Sequence, residues 1–568
     1  MLAHAPHFDV GAAEKLARDL YALGACATPL TSERDQNFLL AMPDGTRAVL
    51  KIANALEDRA MLDAQQSAMT HLASSLDIVP RVLATCTGAM ITDVAAADGR
   101  RHLVWAVSHL PGVPLATVRR RTPALLTDFG RRIGALSHGL SGFDHAAIHR
   151  HFYWDLAHGR EVIAEYRPLV DDAALGATID ALLARFEAHV APLLPTLRRS
   201  AIHNDLNDNN VLVGGGDDLH SRNQQAVGLV DFGDMVYGYT VADLAIAAAY
   251  ICLDAADPLA AMSSLVRGYH GVFPLTDREI SSLFGLIVLR LCTSACVAAH
   301  QRRQNPDNDY LDFSQAAIRR TVPALERIPF RLAEAVFRDA CGLEAVPAGP
   351  RVSVWLGANT AHFASVLEVD LRSEPCTVLD LGIGSSLSSG DPSENTEPPL
   401  TRRIAEVLRA SGTRIGIGRY DEARLLYMAP AFASGASPDD ERRMIHIGLD
   451  LFADAGTPVF APLDGTVHAL TSNPAPQDYG HVIILRHATD DGVVFFTLYG
   501  HLSRESLAGV AVGQSVARGE RIATLGAPDA NGGWTPHLHL QIITDDLGLG
   551  TDFPGVARAS QRAVWRSL

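Results

Sequence analysis

A chain of 568 residues exceeds what one hydrophobic core organises, so two to four domains of ordinary size are expected. Hydrophobic residues at 48% and charged residues at 20% exclude a disordered or fibrous chain. The net charge of -16 disfavours nucleic acid and anionic membrane as partners, because phosphate is bound mainly through Lys and Arg; small molecules or peptides are the expected substrates.

The seven cysteines are dispersed without a CxxC spacing, which fits a reducing compartment. No basic stretch followed by an apolar one opens the chain, so no secretory signal is read and a cytoplasmic location is expected. From Gln36 to Ile52, QNFLLAMPDGTRAVLKI sets two apolar runs on either side of Pro-Asp-Gly, a hairpin pattern. Helical periodicity follows from Glu57 to Leu76. The run HLVWAVSHLPG then ends in a Pro-Gly breaker, and the chain to about Leu197 is mostly helical in pattern. HNDLNDNNVLVGGG and AVGLVDFGD read as loop, strand, glycine turn, strand and loop, after which helical text resumes to about Gly342. LAIAAAYICL and LFGLIVLRLCTSACVAA, the latter around Arg290, read as buried helices, too short or interrupted to span a bilayer.

The Pro/Gly cluster EAVPAGP marks a boundary. Beyond it VSVWLG and TVLDLGI are predicted strands and TRRIAEVLRAS a helix. SSLSSGDPSENTEPP is expected to be a mobile loop, since its composition buries too little to order itself. LDLGIGSS is discounted as a nucleotide loop because no helical pattern follows it. From Met444 to Ile543 short alternating runs between Gly, Pro and Asp turns predict an all-β unit.

His203, Asp205 and Asn210 match H-x-D-x-x-x-x-N, and VDFGD places Asp231 after a strand just downstream. Phosphoryl transfer needs one carboxylate to take the acceptor's proton, and an amide oxygen and a second carboxylate to hold Mg²⁺. Asp205 is the expected base, and Asn210 and Asp231 are the expected ligands. Lys51 closes the strand AVLKI where an ammonium meets the nucleotide phosphates. With SERDQNF, HLPG, FYWDL and VADLA, this text resembles the aminoglycoside phosphotransferase/choline kinase superfamily, hydroxylysine-kinase-type enzymes most of all, over residues 10 to 335. The resemblance implies ATP and Mg²⁺ as cofactors and a phosphate role for Ser32. It also implies a place for Gln65 where many relatives carry the Glu that pairs with the lysine. Asn204 stands where many relatives have Gly. Asp208, Asp234, Tyr153 and Trp154 would suit a cationic amine, so a hydroxylated amine or amino acid is the expected acceptor and an aminoglycoside the alternative.

MIHIGLD supplies His446 and Asp450 as HxxxD, and TPHLHLQ supplies His537 and His539, which strand alternation sends to one face. Three N/O ligands with an open position are a catalytic zinc pattern. With AGTPVFAPLDGTV, YGHVIIL, LYGHLS and VGQSVARGERIATLG, this text resembles lysostaphin-type (LytM-like) zinc metallopeptidases. That resemblance implies Zn²⁺ on His446, Asp450 and His539, with His501 and His537 flanking the attacking water of a peptide substrate. His468, His481 and His487 read as ordinary residues.

The expected architecture is multidomain, an α+β two-lobed kinase-like fold followed by a mostly β metallopeptidase fold. Residues 10–342 form the first, 351–443 an accessory α/β segment set near the cleft, 444–545 the second, and 546–568 a tail. The order of modules also resembles the front of bacterial fusions that continue into a class III aminotransferase or phospholyase, implying such a partner. A bifunctional enzyme is expected; a ligand-binding scaffold or sensor with silent sites is the competing reading.

Overall fold

The Pro-Asp-Gly hairpin forms where the apolar pattern places it. Gln36–Ala41 pairs antiparallel with Arg47–Ile52, and its turn closes through Met42 N donating to the Thr46 carbonyl, with Gly45 at φ 86°. The computed structural model describes residues 4–32, 35–96, 98–304, 314–433 and 441–568. Glu33 and Arg34 of the expected nucleotide loop lie outside the described residues. The chain divides into two units, Met1–Cys341 and Gly342–Leu568.

In the first unit the hairpin lies in an antiparallel sheet ordered Cys26–Leu30, Gln36–Ala41, Arg47–Ile52, Arg101–Ser108 and Val82–Leu83, with Thr92–Ala95 also on Arg101–Ser108. Phe38, Leu40, Leu50 and Ile52 point to one face and are fully buried with Ala13, Ala17 and Tyr21 of the helix Val10–Tyr21. Helices dominate the rest, among them Pro123–Leu140, Ala173–His189, Pro258–His270 and Asp277–Gln304. Pro123–Leu140 crosses Pro258–His270 at glycines. A Cβ on Gly268 would collide with the Thr127 carbonyl, and one on Gly130 with the Leu265 carbonyl. The helix Asp277–Gln304 runs unbroken for 28 residues through Arg290, so it is long and apolar enough to cross a membrane, correcting the expectation of a short or interrupted stretch; yet 94% of its most apolar window is buried inside the unit.

In the second unit, the described residues build an eight-stranded sheet. Its order is Cys376–Leu379, Ile415–Gly418, Leu449–Phe452, His537–Ile543, Val494–Leu502, Gly480–Ala488, Gly465–Asn473 and Ser515–Val516. The first two strands are parallel, joined across the helix Pro399–Ser411, and they come from the segment expected to be accessory. Gly416 and Gly418 pair with Phe452 and Asp450, so this segment is built into the sheet. Val556–Arg558 pairs with Arg443–His446, and Trp565 stacks edge-on against Phe553, so the last residues are also part of the fold.

Two local expectations are corrected. VSVWLG lies in the helix Gly349–Ala358, with Pro350 in its first turn. Val352 is 0% exposed and Val354 73%, so the two valines do not share a face as strand alternation requires. SSLSSGDPSENTEPP is tied down by Asn395, which is 1% exposed: its amide donates to the Ser389 carbonyl (2.7 Å) and accepts from Ser389 N (2.8 Å). Leu387 is buried with Leu400 and Ile404. One amide does the ordering that composition does not supply.

Gly268→Ala is expected to destabilise the first unit by about 2 kcal/mol, because the added methyl meets backbone that cannot yield. A lowered urea midpoint against a Gly142→Ala control, where the space is open, checks it.

Candidate functional sites

The loop between the strands Arg199–Ile202 and Val211–Gly214 carries the first site. Asp243, fully buried, accepts from the backbone N–H of His203 (3.1 Å) and of Asn204 (2.8 Å), which fixes the loop's entry. Asn204 has φ 66°, a left-handed conformation that glycine adopts freely and asparagine tolerates, which accounts for this residue at that position. His203 donates through Nε2 to the Val230 carbonyl at 3.1 Å, and burial holds its imidazole down at about 4, so it is neutral.

The Asp205 carboxylate is held at both oxygens. Oδ2 accepts from the amides of Asn207 (3.0 Å) and Asn210 (2.8 Å), while Oδ1 accepts from Nη2 of Arg290 (3.1 Å). Burial pushes Asp205 up to about 7, Asp234 adds to the shift, and Arg290 opposes it. Asn210 also accepts at its carbonyl from Val230 N (3.0 Å), which sets it beside Asp231, a residue with φ 67°. With its amide nitrogen committed to Asp205, Asn210 has its amide oxygen left for a cation. An amide and a carboxylate oxygen on adjoining loops suit Mg²⁺, a hard ion that prefers oxygen ligands.

Several of the expected site residues meet other neighbours here. Lys51 and Gln65 are not joined by a hydrogen bond: the Lys51 ammonium lies 4.9 Å from the Trp105 ring centroid, while Gln65 is buried beside Gly233 of the metal loop. Gln65 lacks the charge that would draw the ammonium across. Asp208 is paired with Arg121 at 2.7 Å and is therefore already neutralised. One face of Trp154 is covered by the Arg290 guanidinium, 4.5 Å from the ring centroid, so the cation there is the protein's own. Tyr153 is exposed beside it; Ser32 is exposed in the connection between Cys26–Leu30 and Gln36–Ala41. Arg290 contacts Asp205 and is the residue of this site that the sequence reading did not place there. The available signal was a guanidinium in the middle of an apolar helix, where a charge needs a buried partner.

The second site lies in the sheet of the second unit. Asp450 pairs in register with His539, and Phe452 with His537, so both histidines of HLHLQ face one cleft. Asp450 Oδ1 lies 3.1 Å from His446 Nε2, 3.2 Å from His539 Nδ1 and 3.7 Å from His537 Nε2. The ligand atoms of His446, Asp450 and His539 fall within 4.8 Å of one another, and all three residues are buried. His446 donates through Nδ1 to the Arg419 carbonyl (3.0 Å), which directs Nε2 into the cluster. His501 donates through Nδ1 to the Asn531 carbonyl (2.8 Å), and its ring stands 4.3 Å from that of His537. Burial lowers the basicity of His537, holds His446 at about 4 and His501 well below the ordinary imidazole range, so the three are neutral. Burial would raise Asp450, but the adjoining His446 imidazole and the Arg424 guanidinium outweigh it and hold the carboxyl well below its ordinary range. Two imidazoles and a carboxylate, converging with no thiolate, fit a catalytic zinc.

Arg424, Tyr427 and Phe432, from the segment before the metal strands, line the same cleft. Arg424 is 1% exposed and donates to Asp450 Oδ2 at 2.6 Å and to Glu422 at 2.8 Å. His468 pairs with Asp546, and His487 bonds the Asp464 carbonyl and Thr497; neither belongs to the cluster.

Residues 27–278 match the family described as phosphotransferase enzyme family, and residues 444–549 match peptidase family M23. Hydroxylysine kinase of Xenopus laevis is 31% identical over 298 residues, covering 50% of this chain and 79% of the relative. Hydroxylysine kinase of Danio rerio is 29% identical over 304 residues, covering 52% and 84%. An uncharacterized metalloprotease of Haemophilus influenzae is 35% identical over 127 residues, 22% of this chain and 24% of that protein.

A Cβ at Gly448 would run into the His539 ring. Gly448→Ala is expected to weaken Zn²⁺ binding by about tenfold or more, with unchanged circular dichroism; competition with a chromophoric chelator measures it.

Proposed function

Because the chain belongs to the phosphotransferase enzyme family and carries a peptidase family M23 domain, we propose that it is a bifunctional enzyme. It phosphorylates a small hydroxylated amine or amino acid with ATP, and it hydrolyses an amide or peptide bond with zinc.

The observation that supports the first activity is the Asp205 carboxylate, locked at both oxygens beside Asn210 and Asp231. Asp205 takes the proton of the acceptor hydroxyl as that oxygen attacks the γ-phosphorus of ATP, whose bond to the β,γ-bridging oxygen breaks to release ADP. Asn210 and Asp231 would hold Mg²⁺, which when bound offsets the charge on the phosphates. Lys51 and Ser32, at the hairpin, are the residues for the nucleotide phosphates. The names of the Xenopus and Danio relatives favour a hydroxylysine-like amino acid over an aminoglycoside as acceptor. The phosphorylated product would suit a class III aminotransferase or phospholyase partner in the cytoplasm.

For the second activity, His446, Asp450 and His539 would hold zinc, which when bound supplies a Lewis acid for the scissile carbonyl. His501 and His537, neutral and adjacent, are placed to take a proton from water and return it to the leaving nitrogen. A silent scaffold is the second reading, favoured by the unjoined Lys51 and Gln65.

Asp205→Asn is expected to reduce Mg-ATP-dependent phosphorylation of 5-hydroxylysine by about 100-fold or more, followed by mass spectrometry across a panel of amino alcohols and aminoglycosides. Retained transfer in this variant removes Asp205 as the base. Stripping the metal with 1,10-phenanthroline is expected to abolish amide hydrolysis on a peptide panel, to leave phosphorylation intact, and to be reversed by added Zn²⁺.

A further inference from the structure

Arg290 sits at the middle of a 28-residue helix whose buried face runs from Glu279 to Ala298, and it is 2% exposed. A guanidinium placed there bears a large desolvation cost unless it meets a carboxylate. The carboxylate it meets is Asp205. Its other contacts fix the direction of approach: Nη1 donates to the Trp154 carbonyl at 3.0 Å, and the guanidinium lies 4.5 Å from the Trp154 ring centroid and 5.8 Å from that of Tyr250. Replacing such a buried pair by apolar groups is often neutral or stabilising for a fold. Stability alone therefore gives little reason for an arginine here.

Resting on the phosphotransfer reading of Asp205, we propose that Arg290 is the positioning residue of that site. It pins Oδ1 while Asn207 and Asn210 pin Oδ2, so the carboxylate is held in one orientation towards the acceptor hydroxyl. A general base misplaced by about 1 Å loses on the order of 100-fold in rate. The same side chain closes the Trp154 face to a substrate cation, so the acceptor's amine lies elsewhere. The loop and the helix Asp277–Gln304 thus meet at one carboxylate, and the FYWDL segment holds the arginine that joins them.

The test compares Arg290→Met and Arg290→Lys in the full chain, each with and without Asp205→Asn. Single-turnover and steady-state phosphorylation of 5-hydroxylysine are measured, together with calorimetric binding of Mg-AMP-PNP. For Arg290→Met we expect kcat about 100-fold lower, with KM for ATP and AMP-PNP affinity within about twofold of wild type. Arg290→Lys recovers about tenfold, since an ammonium restores the charge without the fork. In the Asp205→Asn background Arg290→Met costs nothing further, because there is no carboxylate left to orient. The role is overturned if Arg290→Met keeps kcat within about threefold, or if the fall is equal in both backgrounds. Should Arg290→Met fail to bind AMP-PNP, Arg290→Lys is judged by the same two criteria. A wild type that binds AMP-PNP but phosphorylates neither 5-hydroxylysine nor any amino alcohol overturns the phosphotransfer reading and this role together. An active wild type with an indifferent Arg290→Met overturns this role alone.

Discussion

An ionised carboxylate taken out of water has to be answered by a cation or by several donors, and both candidate sites of this chain are arranged around that requirement. In the first unit Asp205 is answered by Arg290, and in the second Asp450 is answered by Arg424. In each case the arginine is 1–2% exposed and takes one oxygen of the carboxylate. The opposite oxygen meets Asn207 and Asn210 in one site and the histidine cluster in the other. In the first unit the loop residues are local and the arginine arrives from a separate segment; in the second, Arg424, the pair His446 and Asp450, and His539 come from three segments.

That division explains what the sequence disclosed. His203, Asp205 and Asn210 lie within eight residues, and His537 and His539 alternate on one strand, so spacing alone puts them on a shared loop or face. Arg290 is 85 residues from Asp205 and Arg424 is 26 from Asp450. No periodicity connects such pairs; only the tertiary fold does. The same limit bears on the residues expected to meet an acceptor's amine. Asp208 and Trp154 have the right chemistry for an amine, but Arg121 and Arg290 already engage them.

Secondary structure followed a similar rule. The hairpin at Gln36–Ile52 carried both its alternation and its turn residues, two independent signals in agreement. VSVWLG carried a strand signal in its two valines, and Pro350 in the first turn set the opposite outcome. SSLSSGDPSENTEPP lacked apolar content, yet a buried Asn395 amide closes it as a turn of backbone would.

The crossover Cys376–Leu379, Pro399–Ser411, Ile415–Gly418 has a further meaning for anyone excising the hydrolase. The family match begins at residue 444, but Leu449–Phe452 hydrogen-bonds Ile415–Gly418 on its outer side. A fragment cut at residue 444 would leave that strand's backbone bare, a template for self-association. It would also lose Arg424 and with it the counter-charge of Asp450. The folded module is therefore larger than its recognisable motif, and its covered sheet edge and the ion pair of Asp450 depend on the same upstream residues.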